Sequence, residues 1–195
     1  PPPPPPHFFF HAEDAIRYAQ ESRGLGDVYK RQIVNYHALT TVKDKEFLEK
    51  NTIQAAIDFF SLGLDPEKST FWIQSDVPQV CESTWLLSNV TNVGMLERAT
   101  SYKDKLSKGI SANVGLYSYP ILMASDILLF GGEMVPVGKD QKQHVEVTRD
   151  LAERFNNLFG EVFVIPKPSL VLKDLGIFFS LFATFFRQAS PSDQP

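Results

Sequence analysis

Apolar positions recur at helical spacing along four stretches of the chain, and short apolar runs separate those stretches. From Asp44 to Leu62, the apolar set Phe47, Leu48, Ile53, Ala56, Ile57 and Phe60 gives one helical face, and Gly63 follows as a natural stop. Ser75-Asp76-Val77-Pro78 predicts the start of a second helix, with a capping residue and a proline in the first turn. It runs to about Asn89, with Val80, Thr84, Trp85 and Leu87 available for packing. Val114 to Phe130 predicts a third helix despite Pro120, and Lys139 to Phe155 a fourth. Between them, Ile33–Tyr36, Phe71–Gln74, Met134–Val137 and Val162–Ile165 predict short strands. Strands alternating with helices define an α/β fold with a parallel sheet. The segment Glu97 to Gly109 is rich in lysine and predicts an exposed surface. No internal repeat is visible.

Composition narrows this picture at the ends of the chain. Length, at 195 residues, suits one good-sized domain. Pro1 to Pro6 with Pro191 and Pro195 make eight of the fourteen prolines, and the terminal segments also hold eight of the sixteen phenylalanines. Both ends therefore read as low-complexity additions. No apolar segment follows a basic one at the start, so a signal peptide is not expected there. The run RGLGDVYKRQ, Arg23 to Gln32, resembles translated sequencing-adaptor sequence. The expected division is residues 1–32 as a non-native segment, 33–174 as the domain proper, and 175–195 as a non-native or frameshifted tail.

Charge and cysteine usage bound the class further. A net charge of −4 is mild; it argues against a surface given over entirely to nucleic acid, but not against a local basic patch. The single cysteine, Cys81, excludes an internal disulfide and fits a reducing compartment, the cytoplasm. No membrane association is expected. The nearest apolar run, Leu175 to Phe186, has twelve residues, short of the ~18 that a membrane span needs.

Two neighbouring features could carry chemistry. Tyr119, Met123, Asp126, Ile127 and Phe130 share one face of the third helix. A carboxylate on that face is costly to bury unless paired. It is either an acid at the helix margin reaching water or a lysine, the commoner case, or an acceptor for a ligand N–H. The second feature is the turn after Met134–Val137. Gly138 at the carboxyl end of a strand, opening a helix with Asp140 and Gln141, stands where open α/β sheets place small ligands. Asp140 can accept from ribose hydroxyls, and Gln141 can donate and accept; both residues also simply suit the first turn of a helix.

Other chemistries fit less well. There is no G-x-G-x-x-G. Gly132 to Lys139 has one residue too many for a P-loop, and Asp140 stands where a Mg²⁺-binding Ser or Thr should. His37 and His144 have no metal-ligand spacing, and His144 reads as a surface or packing residue on a polar helix. Lys103, Lys105 and Lys108 form a small basic run, usually a solvated face and less often a phosphate contact.

Five collinear segments resemble one family. They are NYHALTT (Asn35 to Thr41), FWIQSDVP (Phe71 to Pro78), LERATSYKDK (Leu96 to Lys105), YPILMASDILL (Tyr119 to Leu129) and VPVGKDQKQHVEVTRDLAERFN (Val135 to Asn156). In them, Ile33 to Phe163 resembles the catalytic domain of bacterial-type tryptophanyl-tRNA synthetases. The sister tyrosyl enzymes share the architecture but usually carry Gln where this chain has Met123. The resemblance implies a class I enzyme with a Rossmann-type parallel sheet and flanking helices, incomplete at both ends. Its members join tryptophan to ATP as tryptophanyl-adenylate, release pyrophosphate and pass the aminoacyl group to tRNA(Trp). They use ATP with Mg²⁺ as substrate, hold no tightly bound cofactor and act as homodimers, so Trp85 and its helix neighbours could face a partner.

The resemblance also implies roles. Asp126 matches the acid that accepts the indole N–H, and Tyr119, Met123, Ile127, Val135 and Val137 match the walls of the indole pocket. Gln141 lies near the α-ammonium and carboxylate, and His37 lines that side. Gly138, Lys139 and Asp140 match the adenosine-contacting turn, and Lys105, with Lys103 beside it, a loop lysine near the triphosphate. No protein nucleophile is required, because the substrate carboxylate attacks the α-phosphate; no catalytic residue in that sense is expected.

The departures concern activity. Neither an HIGH-type nor a KMSKS segment occurs in the 195 residues, and no anticodon-reading helical domain follows; Asn35 stands where an Asp is common. The expectation is therefore family membership with little or no adenylation by this polypeptide as written. The alternatives are a non-catalytic relic or indole-binding module, and a tyrosyl-type fragment.

Overall fold

The computed structural model describes residues 29–67, 69–98, 113–137 and 142–170. The chain divides into two compact units, one comprising Pro1–Asp76 with Leu172–Pro195 and the other Val77–Val171.

In the first unit, strand β1 (Tyr29–Ile33) lies parallel to β2 (Ser69–Ile73), in register from Tyr29 opposite Ser69 to Ile33 opposite Ile73. A parallel pair needs a crossover connection, and helix α2 (Lys45–Ser61) supplies it after the short helix α1 (Asn35–Ala38). Asp44 caps α2, its carboxylate accepting from the Phe47 N–H at 2.8 Å. At the other end Gly63 takes φ +91°, with Leu64 N–H donating to the Phe59 carbonyl and Gly63 N–H to that of Phe60. This is the paired-bond stop that favours glycine past a helix end.

The strand expected at Ile33–Tyr36 is displaced. It ends at Ile33, and Asn35–Ala38 turn into α1. The cause is polar. The Tyr36 N–H donates to Gln74 Oε1 (3.0 Å), and the Asn35 side chain bonds twice to Ser75. These side chains take up backbone and amide groups that a continued ladder would have used. The same contacts correct the next helix. Ser75 does not cap it; Gln74–Asp76 form a 3₁₀ turn, and the helix proper, α3, starts at Gln79 and ends at Ser88.

The apolar face of α2 is also less covered than its pattern predicts. Phe59 and Phe60 pack on Phe71, with ring centroids 5.5 and 5.2 Å away. Yet Ile53, Ile57 and Phe60 remain largely exposed, and Thr52 is the buried residue of α2. The two strands described beside a helix of 17 residues offer limited surface.

Among the described residues, the second unit is built on four helices, α3 among them, and a second parallel pair. Helix α4 is Val93–Glu97, α5 is Val114–Leu128 and α6 is Lys142–Phe159; strands β3 (Met134–Val137) and β4 (Lys167–Leu170) pair in parallel, Val137 opposite Leu170. Helix α5 packs against α3 and α6, and α6 against β4. Leu87, Met95, Leu96, Ile121, Ala124, Leu128, Leu151 and Ala152 form the buried core, with Phe155, Phe163 and Ile165 packed on it. Ser125, fully buried on α5, donates to the Val80 carbonyl of α3 at 2.9 Å, so a polar side chain joins two helices without leaving its hydroxyl unmet.

Helix α5 ends through Gly131, φ +61°, with Gly131 N–H bonded to the Leu128 carbonyl and Gly132 N–H to that of Ile127. Helix α6 buries His144, Val145, Thr148, Leu151 and Ala152 on one stripe, the spacing of a core-facing amphipathic helix. The strand expected at Val162–Ile165 is absent. Asn156 Oδ1 accepts from the N–H groups of Val162 (3.1 Å) and Phe163 (2.9 Å), and its Nδ2 donates to the Phe163 carbonyl (2.7 Å). One side chain thus occupies the backbone groups that a ladder needs, and pairing resumes only at Lys167, whose N–H reaches the Glu133 carbonyl at 2.8 Å. Among the described residues, no helix is long and apolar enough to cross a membrane.

Candidate amino-acid pocket

Helix α5 puts four of the predicted side chains on one face. Tyr119, Met123 and Asp126 are spaced by four and three, and Ile127 adjoins them. Asn113 caps this helix, its side chain accepting from the Leu116 N–H at 2.8 Å, and Pro120 is accommodated inside it. Burial is graded along the face: Met123 is 8% exposed, whereas Tyr119, Asp126 and Ile127 are half-buried. The Asp126 carboxylate is thus half-buried on the same helix face as the buried Met123 thioether.

After α5 the chain closes tightly. A Cβ at Gly132 would lie 3.2 Å from the Ile127 carbonyl oxygen and 3.4 Å from its side chain, so glycine lets the turn fold back on Ile127. The next strand presents Val135 and Val137 on one side, since alternate residues share a face. Val137 is fully buried and Val135 half-buried.

Helix α6 adds a residue that sequence reasoning undervalued. His144 is buried, and its Nε2 lies 2.9 Å from the Tyr119 hydroxyl, with ring centroids 5.7 Å apart. The polar composition of α6 hid it. The signal was its place four before Thr148 and seven before Leu151, on the buried stripe.

His37 belongs to the first unit, where it is 1% exposed in α1 and its carbonyl accepts from Thr40 Oγ1 at 2.8 Å. Gly138, Lys139, Asp140, Gln141, Lys103 and Lys105 lie outside the described residues. Among the described residues, no cluster of three or more His, Cys, Asp or Glu could hold a metal ion. On α3, Trp85 is 71% exposed rather than packed, and Leu86 beside it is also exposed.

An apolar helix bearing a single acid, then a short strand with Val135 and Val137 on one side, within a parallel α/β fold, define a class of protein. The family model of class I tRNA synthetases for tryptophan and tyrosine matches residues 26–176, and the chain belongs to that family. Relatives at high identity within it include tryptophanyl enzymes. The chain is 58% identical over 135 residues to the tryptophan–tRNA ligase of Campylobacter jejuni, covering 69% of this chain and 42% of that protein. It is 54% identical over 146 residues to that of Fusobacterium nucleatum, covering 74% of this chain and 45% of the relative. The crystal structure of the Campylobacter jejuni tryptophanyl-tRNA synthetase complexed with ADP and tryptophan superposes with a TM-score of 0.76 at 51% identity, over 85% of this chain and 50% of the other. The chain therefore spans somewhat less than half the length of the curated relatives it matches. Its two parallel strand pairs with their helices are part of a Rossmann-like class I domain.

Proposed function

We propose that this chain carries the tryptophan-recognising part of a tryptophan–tRNA ligase, with Asp126 as the acceptor for the indole N–H. The observation that carries this reading is the single acid on the α5 face of Tyr119, Met123 and Ile127, in a segment shared with tryptophanyl relatives. An apolar surround suits the indole ring, and one acceptor within it gives direction. Val135 and Val137 complete the walls. Gln141 and His37 serve the ammonium and carboxylate end. Gly138, Lys139, Asp140 and Lys105 serve ATP, and Mg²⁺ arrives with the nucleotide as part of the substrate. The whole enzyme joins tryptophan to ATP in the cytoplasm and transfers the aminoacyl group to tRNA(Trp).

In that reaction the tryptophan carboxylate attacks the α-phosphate and pyrophosphate leaves. The protein's share is to hold the two substrates in line and to stabilise charge on the phosphates. Neither ATP signature segment occurs in the 195 residues, so this polypeptide as written is a tryptophan binder with little adenylation of its own. Exposed Trp85 and Leu86 suit the contact of a homodimer in the whole enzyme; large aromatics are enriched at such contacts.

Tryptophan titration of the purified chain, followed by ATP–pyrophosphate exchange, tests both parts. Saturable tryptophan binding with little exchange is expected. No binding removes the pocket, and robust tryptophan-dependent exchange removes the claim of low activity.

A further inference from the structure

The bond between Tyr119 and His144 joins two helices, twenty-five residues apart in sequence. It is not incidental to the packing. His144 is 7% exposed, on a stripe shared with Val145, Thr148 and Leu151. An imidazole on such a stripe costs free energy unless its polar atoms are used, and an aliphatic side chain would fill the place at no such cost. The backbone of His144 is held as well, its carbonyl accepting from the buried Thr148 Oγ1 at 2.8 Å in addition to the helix ladder. The imidazole is thus set on a rigid element, with its Nε2 directed at the far end of the Tyr119 ring.

We propose that His144 is a positioning residue of the amino-acid pocket, fixing the Tyr119 ring beside the α5 face that carries Met123 and Asp126. The proposal rests on the tryptophan reading of that face. A tyrosine ring turns about two side-chain bonds, and a half-buried ring is not held by packing on every side. A hydrogen bond at its hydroxyl removes that freedom before the ligand arrives. A wall ordered in advance binds more tightly than one that must be ordered on binding.

A double-mutant cycle on the 195-residue chain tests this, with tryptophan affinity and thermal unfolding measured on the same samples. Tyr119→Phe keeps the ring and drops the hydroxyl; His144→Leu keeps bulk and drops the imidazole. Each is expected to weaken tryptophan binding by up to about tenfold, the effect of one hydrogen bond. The double variant should bind no more weakly than either single variant. His144→Gln, whose amide can reach the same hydroxyl, should restore most of the affinity. A bond that merely staples the helices would lower the unfolding midpoint and leave the affinity of the folded protein unchanged; that result, or additive losses, overturns the proposal. Should His144→Leu not fold, Tyr119→Phe reads the same bond, and unaltered affinity there overturns it equally. Failure of the unsubstituted chain to bind tryptophan would sink the pocket and this role together, whereas binding that ignores His144 sinks this role alone.

Discussion

Asn35 and Ser75, forty residues apart, hold each other by two bonds: the Asn35 amide donates to Ser75 Oγ at 2.8 Å, and its oxygen accepts from the Ser75 N–H at 3.1 Å. They stand just past the carboxyl ends of β1 and β2. The pair ends the two-stranded ladder and starts both the α1 turn and the 3₁₀ turn. Asn35→Ala removes both bonds and leaves a part-buried N–H unmet, so it should cost about 1–3 kcal/mol of unfolding free energy. Asn35→Asp keeps the acceptor for the Ser75 N–H, and the Ser75 hydroxyl can turn to donate instead. Its cost should be well below that of alanine. Urea unfolding of the two variants, compared with the parent chain, checks the order; equal losses would show that the donated bond matters more than geometry suggests.

Asn156 does comparable work in the second unit, with three bonds to the backbone of Val162 and Phe163. These bonds shape the loop that brings Phe163 onto Phe155, with centroids 4.9 Å apart. Asn156→Ala should therefore lose about 2–3 kcal/mol, more than one hydrogen bond alone. It should also raise amide exchange at Val162 and Phe163 ahead of the rest of the unit, which hydrogen-exchange mass spectrometry can resolve.

Much of this was legible in the sequence, and the failures share a cause. Met134–Val137 stands as a strand where expected, and the long helices stand within a few residues of their apolar patterns, because periodicity and glycine stops act locally. Asp44 and Gly63 cap α2 as their residue types suggest. The strands at Ile33–Tyr36 and Val162–Ile165 failed because side-chain amides distant from the strand pattern, Gln74 and Asn156, captured the backbone. Such bonds depend on tertiary proximity, which an apolar run does not encode. Ser75 shows the same limit: a residue suited to capping was bonded elsewhere. On α5, the shared face of Tyr119, Met123 and Asp126 follows directly from helical spacing. His144 did not, since the polar composition of its helix outweighed its place on the Thr148 and Leu151 stripe, and the tyrosine hydroxyl it meets is brought there by tertiary packing.

The two units also differ in how far their helices are covered, and this predicts a contrast. Leu151 of α6 is fully buried in the core, whereas Ile57 of α2 is 51% exposed. Leu151→Ala should cost about 2–5 kcal/mol, the range for a leucine lost from a packed interior. Ile57→Ala should cost under about 1 kcal/mol, because little apolar area returns to water and alanine favours the helix. Chemical denaturation of each variant measures the difference. Comparable losses would mean that the outer face of α2 is covered in solution.

Asp126 carries the sharpest functional expectation. It is the one acid on the pocket face of α5, so its removal should act on the amino acid and not on the nucleotide. In the proposed role, Asp126→Ala would leave the indole N–H without that acceptor while the proposed walls at Met123 and Val137 remain. Tryptophan affinity should fall by at least tenfold, as expected for a lost bond to a charged group, with ATP affinity changed far less. The same acid should make the site discriminating. A ring lacking an N–H, such as that of phenylalanine, cannot make this bond, and sites built around such a bond reject the analogue by on the order of 10⁴-fold. In Asp126→Ala this preference for tryptophan should shrink more than the affinity for phenylalanine falls. Competition titrations with both amino acids, run beside ATP binding, separate the outcomes: parallel loss of tryptophan and ATP would assign Asp126 a structural role instead of recognition.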